Sequence, residues 1–238
     1  LILGVMQPYF LPYLGYWQLM AAVDRFVVYD NIQYTKKGWI NRNRFLRDGE
    51  AVTFTLPLKK ASDFLDVADR SLADDFDPKT ILNPVTAAYR KAPFFAEVLP
   101  WLENVVAAPP RNLFEYLHHS LKTTAAFLDI KTPIVVSSTV PADHRLKSED
   151  RVIALCEAQG ATAYVNPPGG RDLYSAEHFA RRGMALKFIQ PRLAPYPQFD
   201  RPFVSGLSIL DVLMFNSRES VCRMLDEYEL ETVGVSPS

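Results

Sequence analysis

Cysteine is scarce in this chain. Only Cys156 and Cys222 occur, too few and too far apart for a disulfide framework or a CxxC metal site. Each lies in an apolar helical run, so both are expected to be buried, reduced and metal-free, behaving as small hydrophobes. Histidine is also rare. His118, His119, His144 and His178 are scattered and lack zinc-type spacing. No apolar run approaches the roughly 20 residues that cross a bilayer, so no membrane insertion is expected. An excess of either charge is missing as well. With 26 Lys and Arg against 27 Asp and Glu the net charge is -1, and composition gives no electrostatic reason for a nucleic-acid partner. The first residues include no basic stretch, so no signal peptide is expected. The chain opens on Leu1, and a few residues are expected to precede it. Internal repeats and low-complexity segments are absent.

What is present describes a folded globular protein. Hydrophobic residues make up 48% and charged residues 22%, close to the average for such proteins. The 238 residues suit one large domain or two small ones. The reading adopted is a single α/β domain over 1–238 with a helical insertion around 80–130. Eighteen prolines point to many defined loops.

Leu1 to Met6 is continuously apolar and predicts a buried strand. Pro8 and Pro12 interrupt it, and Pro12 suits the first turn of a helix over residues 13–23. A second strand is expected over 25–30. Asp48-Gly49 between residues 41–47 and 51–58 predicts a hairpin. Helices are expected over 83–92, 95–106 and 113–128. A second α/β stretch follows, with strands at 134–136, 163–165 and 185–189. Its helices are capped by Ser148 and Ser175 and ended by Gly160 and Gly183. Further helices are expected over 208–215 and 220–227, and residues 234–238 are expected to fray. Strands alternating with helices predict a mainly parallel sheet covered by helices on both faces.

The most informative stretch is Gly4 to Leu19. It falls beyond the carboxyl end of a strand and at a helix start, where α/β sheets place ligands and free amides favour an anion. Gln7 is a candidate for binding, and Gly15 would let a ligand approach closely. Tyr13 and Tyr16 flank that glycine on one helix face. Asp30 ends the second strand on the same sheet edge. Lys36, Asn41, Arg42 and Asn43 follow, a set of amides and cations suited to a phosphate and a hydroxylated or amino ligand. Two alternatives stay open here. Tyr13, Tyr16 and Trp17 also suit an amphipathic core face, and Asn41, Arg42 and Asn43 also suit a network stapling the hairpin to the first helix. A glycine loop, Asn166 to Asp172, lies between a strand and the helix capped by Ser175. Its two glycines could present successive amides to an oxyanion, with Arg171 as a clamp, or it could be a plain turn.

Met6 to Tyr16, Asp30 to Tyr34 and Trp39 to Asn43 together resemble the signature blocks of the WbqC-like family. The likeness runs along nearly the whole chain and includes Tyr164, Gly169 to Tyr174, and Ser208 to Asp211. The resemblance implies a bacterial protein of surface-polysaccharide (O-antigen) gene clusters, with glycine transfer suggested for a member. It brings no established catalytic residues to carry over. A second resemblance concerns fold. The opening βαβ unit, with Tyr13-Leu14-Gly15-Tyr16 at the helix start, looks like the HxGH region of nucleotidylyltransferases. Both histidine positions hold tyrosine here, which donates a hydrogen bond but has no positive charge at neutral pH. Lys147-Ser148 is faintly similar to the second phosphate-binding signature of those enzymes.

The resemblances imply a cytoplasmic transferase that moves an amino-acyl group such as glycine to an amino sugar or nucleotide sugar, with an adenylate as one route. ATP with Mg²⁺ would then be the cofactor, and small molecules (a nucleotide sugar or an amino acid) the partners. Asp30, Tyr13 and Tyr16 are the expected catalytic residues. The alternative is a non-catalytic sugar-nucleotide binding or assembly protein of the same pathway.

Overall fold

A computed structural model describes residues 1–234; the fraying expected of residues 235–238 lies outside the described residues. The first strand, β1 (Ile2–Met6), is apolar throughout because it sits in the middle of a sheet with both faces covered. Helix α1 (Leu14–Ala21) returns the chain to β2 (Arg25–Val28), which pairs parallel to β1 with Val5 opposite Val27. The hairpin β3 (Arg42–Arg47) and β4 (Glu50–Thr55) follows. Asp48 and Gly49 join its strands with φ of 56° and 84°, the paired positive values of a type I′ turn. Helices α2 (Lys79–Tyr89), α3 (Phe95–Val106) and α4 (Leu113–Phe127) then lead to β5 (Ile134–Val136). The second half runs α5 (Ser148–Ala158), β6 (Ala163–Asn166), α6 (Ala176–Arg181) and β7 (Ala185–Pro191). It closes with α7 (Ile209–Phe215), α8 (Arg218–Met224) and β8 (Tyr228–Thr232).

Six strands form one sheet in the order β5-β2-β1-β6-β7-β8. All neighbours are parallel except β8, which runs antiparallel to β7. The hairpin is a separate two-stranded sheet. Side chains alternate across the large sheet. Leu3, Val5, Val27, Tyr164 and Leu186 enter one core with α5 and α6. Phe26, Val28, Val165 and Ile189 enter a larger one with α1, the α2–α4 helices and α7. The expected mainly parallel α/β sheet is therefore the architecture.

Several boundaries depart from expectation. Pro12 lies before α1 rather than in its first turn, and Tyr13 takes the N-cap position. Helix α2 begins four residues early because Asp77 accepts the Lys79 amide at 2.9 Å. It also holds Pro84 inside, as α3 holds Pro100; buried Ile81, Val85 and Tyr89 offset the lost backbone bond. Ser148 is not the cap of α5. Lys147 holds that position, and Ser148 enters the helix at a φ of 49°. Helix α8 starts earlier, at Arg218, because Ser217 accepts the Ser220 amide. Strand β8 was not anticipated, since its Tyr-Glu-Leu-Glu-Thr sequence has only weak strand character and gains its pairing from β7. Cys156 is buried, but Cys222 is only half-buried, with its thiol 3.2 Å from the Leu128 carbonyl. Among the described residues no helix is long and apolar enough to cross a membrane.

Candidate functional site

Chain connections diverge between β1 and β6. From β1 the chain moves to β2 on one side, while β6 flanks β1 on the other. In an open α/β sheet such a switch point leaves a crevice beyond the carboxyl ends of the strands. Here the crevice is a cavity of about 1040 Å³. The end of β1 supplies Gln7, Tyr9 and Tyr13, and the end of β2 supplies Tyr29, Asn31 and Gln33. The start of α5 adds Lys147, Ser148 and Arg151, and the end of β6 adds Asn166, Gly169 and Gly170.

The wall from Gln7 to Tyr13 is held in shape by the signature residues themselves. Pro8 and Pro12 cannot extend β1, and Leu11 adopts a φ of 47°. Asn43 then donates to the Phe10 and Leu11 carbonyls at 3.1 and 2.8 Å and accepts the Arg44 amide. Ser208 donates to the Leu11 carbonyl at 2.8 Å. The Tyr16 hydroxyl donates to the Gln7 carbonyl at 2.9 Å. Asn41 donates to the Leu56 carbonyl and accepts from the Tyr34 hydroxyl, both at 2.8 Å.

These bonds settle where the expected residues stand. Gln7 and Tyr13 face the cavity; the set does not otherwise converge there. Tyr16 is 1% exposed and is spent on the backbone, because its ring fills the core against Phe26 and Trp17. Gly15 makes room for a side chain rather than a ligand. A Cβ there would stand 2.5 Å from the Tyr13 ring. Asp30 is buried and turned away, its carboxylate accepting the Ser138 amide at 2.9 Å and the Ser137 hydroxyl. That ties the end of β2 to the turn after β5. Asn41 and Asn43 are buried and satisfied, as a stapling network requires. Arg42 closes its own turn by donating to the Lys37 and Gly38 carbonyls, and Lys36 is exposed on that turn. Arg171 pairs with Glu231 on β8 and lies over the Phe188 ring, outside the cavity its loop helps to line. The Gly170 amide is bonded to the Pro167 carbonyl at 3.1 Å, so the two glycines do not offer successive free amides.

Other polar groups take the cavity positions. Lys147, the N-cap of α5, and Arg151, in its first turn, both line the cavity. Among the described residues Lys147 forms no ion pair. The Arg151 guanidinium donates to Asn31 and lies 5.0 Å over the Tyr29 ring, while its Nε is buried without a partner. Nε2 of His144 donates to the Val140 carbonyl at 2.9 Å, and its Nδ1 is buried without a partner. The Asp66 carboxyl is raised above its ordinary range by burial and then by Asp69. Burial also raises the phenols of Tyr9, Tyr13, Tyr29 and Tyr174, so they meet a ligand as neutral hydrogen-bond groups. The arrangement suits a ligand with an anionic end at α5 and a hydroxylated or flat body against tyrosines. Of these residues the sequence signalled Tyr13 and Lys147-Ser148, with Tyr9 and Tyr174 inside the blocks of family likeness; Arg151 has no such signal and is found only once α5 is known to face the cavity.

Comparison with known proteins adds two findings. The model of the WbqC-like protein family matches residues 7–222. A relative, the uncharacterized protein Rv1507c of Mycobacterium tuberculosis, is 29% identical over 218 residues, covering 90% of this chain and 92% of that one.

Proposed function

Because the chain belongs to the WbqC-like protein family, we propose that it is a transferase of bacterial surface-polysaccharide (O-antigen) biosynthesis. It moves an amino-acyl group such as glycine onto an amino sugar or nucleotide sugar. The supporting observation is the sheet-edge cavity. Its volume of about 1040 Å³ reaches the upper end of small-molecule sites, about 300–1,000 Å³. Its cations lie together at the start of α5, where phosphates would bind. Tyrosines and the amides of Gln7, Asn31, Gln33 and Asn166 stand among the apolar side chains of the remaining lining, groups that sugar hydroxyls can pair with.

ATP, on the adenylate route, would supply activation by making the amino-acid carboxyl an acyl donor as pyrophosphate is released. Lys147 and Arg151 would hold its phosphates. Magnesium would travel with the nucleotide, because among the described residues no three His, Cys, Asp or Glu side chains gather to hold an ion, and Mg²⁺ commonly rests on phosphates plus one or two carboxylates. A cytoplasmic location, where such substrates occur, belongs to the same reading.

One observation favours the alternative, a non-catalytic sugar-nucleotide binding protein of the same pathway. Of the three residues expected to do chemistry, Tyr16 and Asp30 are engaged by the fold, which leaves Tyr13 alone at the cavity. Pyrophosphate release with ATP, glycine and a nucleotide sugar separates the readings. Glycine-dependent release that is lost in Lys147→Ala is expected for the transferase. A rise in melting temperature with a nucleotide sugar, without any release, would replace it by the binding protein.

A further inference from the structure

Tyr9 and Tyr13 are walls of two cavities. The second, about 230 Å³, lies towards Trp39, Arg44 and Gly206. Several hydrogen-bond acceptors around it are already in use. The Pro12 carbonyl takes the Trp17 indole and the Ile209 amide, and the Tyr13 carbonyl takes the Tyr16 amide. The Arg44 carbonyl takes the Ser208 amide, and the Gly206 carbonyl takes Nη2 of Arg44 at 2.9 Å. Asn43 has spent its whole side-chain amide on the loop. No carboxylate lines the space.

Donors are left over as well. Among the described residues neither the Tyr13 hydroxyl nor the Trp39 indole N–H has a hydrogen-bond partner, and Arg44 forms no ion pair. Nε of Arg44 is buried and unpaired. Burial keeps the Tyr9 and Tyr13 phenols protonated. Gly206, at a φ of 66°, brings its carbonyl to Arg44; a Cβ there would stand 3.2 Å from Nη2. Trp39 is held at the rim by the guanidinium groups of Arg42 and Arg44, 5.5 and 5.3 Å from its ring centroid.

We propose that this second cavity is a binding subsite for a small carboxylic acid, with Arg44 as its cationic anchor and Tyr13 as the wall it shares with the sheet-edge cavity. A lining of one cation and several neutral donors selects an acceptor-rich anion. The volume suits an acid of amino-acid size and is too small for a nucleotide. The subsite rests on the aminoacyl-transfer reading: it gives the amino acid a place apart from the phosphates at Lys147 and Arg151.

Trp39 is 40% exposed, whereas Trp101 is buried, and Trp39 lines this cavity and not the sheet-edge one, so its indole N–H resonance distinguishes the two. Titrating the ¹⁵N-labelled chain with glycine, and separately with acetate, should shift the Trp39 signal saturably and leave that of Trp101 in place. Arg44→Gln should weaken glycine binding at least about tenfold, and Arg44→Lys should restore only part of it. Where Arg44→Gln fails to fold, Tyr13→Phe keeps the ring over Gly15, removes one donor, and should weaken binding several-fold. A Trp39 signal unmoved by both acids, or unchanged affinity in the folded variants, overturns the subsite. Nucleotide-induced stabilisation in the same samples reads the larger cavity. If nucleotides stabilise and Trp39 stays silent, only the subsite falls. If Trp39 responds and no nucleotide stabilises, the subsite stands and the nucleotide-dependent reading falls.

Discussion

Asn43 and Lys147 are polar residues of one region with opposite work. Asn43 is buried and makes three hydrogen bonds that shape the cavity wall. Asn43→Ala orphans buried backbone groups and is expected to cost about 3 kcal/mol. Urea denaturation checks this, and a loss under about 0.5 kcal/mol, the range of neutral surface changes, would refute the stapling role. Lys147 is exposed and unpaired among the described residues. Lys147→Ala should leave stability within about 0.5 kcal/mol while nucleotide affinity, read by calorimetry, falls about tenfold or more. Wild-type affinity in the variant would remove Lys147 as a phosphate anchor. The sequence marks Asn41, Arg42 and Asn43 as unusual without showing which way they face. An asparagine that staples a loop and one that binds a sugar are the same residue type, and only burial separates them.

Helix α7 enters the molecule through one carboxylate. Asp211 is fully buried and accepts from the hydroxyls of Tyr89 on α2 and Tyr196, at 2.6 and 2.7 Å, and from the Gln198 amide at 2.6 Å. Tyr89 in turn accepts the Leu46 amide of β3 at 2.7 Å. The network joins α7, α2, the hairpin and the loop before α7, so Asp211→Ala should cost about 3 kcal/mol or more. Equilibrium unfolding monitored by circular dichroism reads it, and an effect near zero would mean the helices dock without the network. Burial outweighs the three hydrogen bonds and raises the Asp211 carboxyl above its ordinary value. Its folded pKa therefore exceeds the unfolded one, so its contribution is full below the unfolded pKa and declines as pH rises through the folded value. The stability advantage of the wild type over Asp211→Asn should accordingly shrink from acid to neutral pH; an advantage that grows would reverse the assignment. Helix and strand identities were legible in apolar periodicity, as for β1 and the α3 helix. Boundaries were less so, because Asp77 and Ser217 set helix starts through local bonds that composition does not rank.

Across the whole molecule the two thiols report different depths. Cys156 lies in the core between the sheet and α5, and burial pushes its thiol up to about 12. Cys222 is half-buried near the end of α4. Alkylation of the native protein at about pH 8 should label Cys222 first and Cys156 only on unfolding. Denatured, non-reduced protein should give two free thiols, and equal native rates would contradict the packing around Cys156.

The alternation of apolar runs and helices determined the α/β class and the parallel pairing, because each strand's branched residues and each helix's period record how local backbone is buried. Asp48-Gly49 likewise determined its hairpin, since few residues accept two positive φ angles. Strand order is a different kind of information. Placing β1 beside both β2 and β6 depends on packing between distant segments, and no local pattern encodes it. That placement brings α5, with Lys147 and Arg151, to the end of β1 and makes a cavity there. It also turns Asp30, Tyr16 and Asn43 inward, because the loops that close the cavity need their own carbonyls and amides satisfied. The tertiary structure alone decided which polar residues hold the site and which line it.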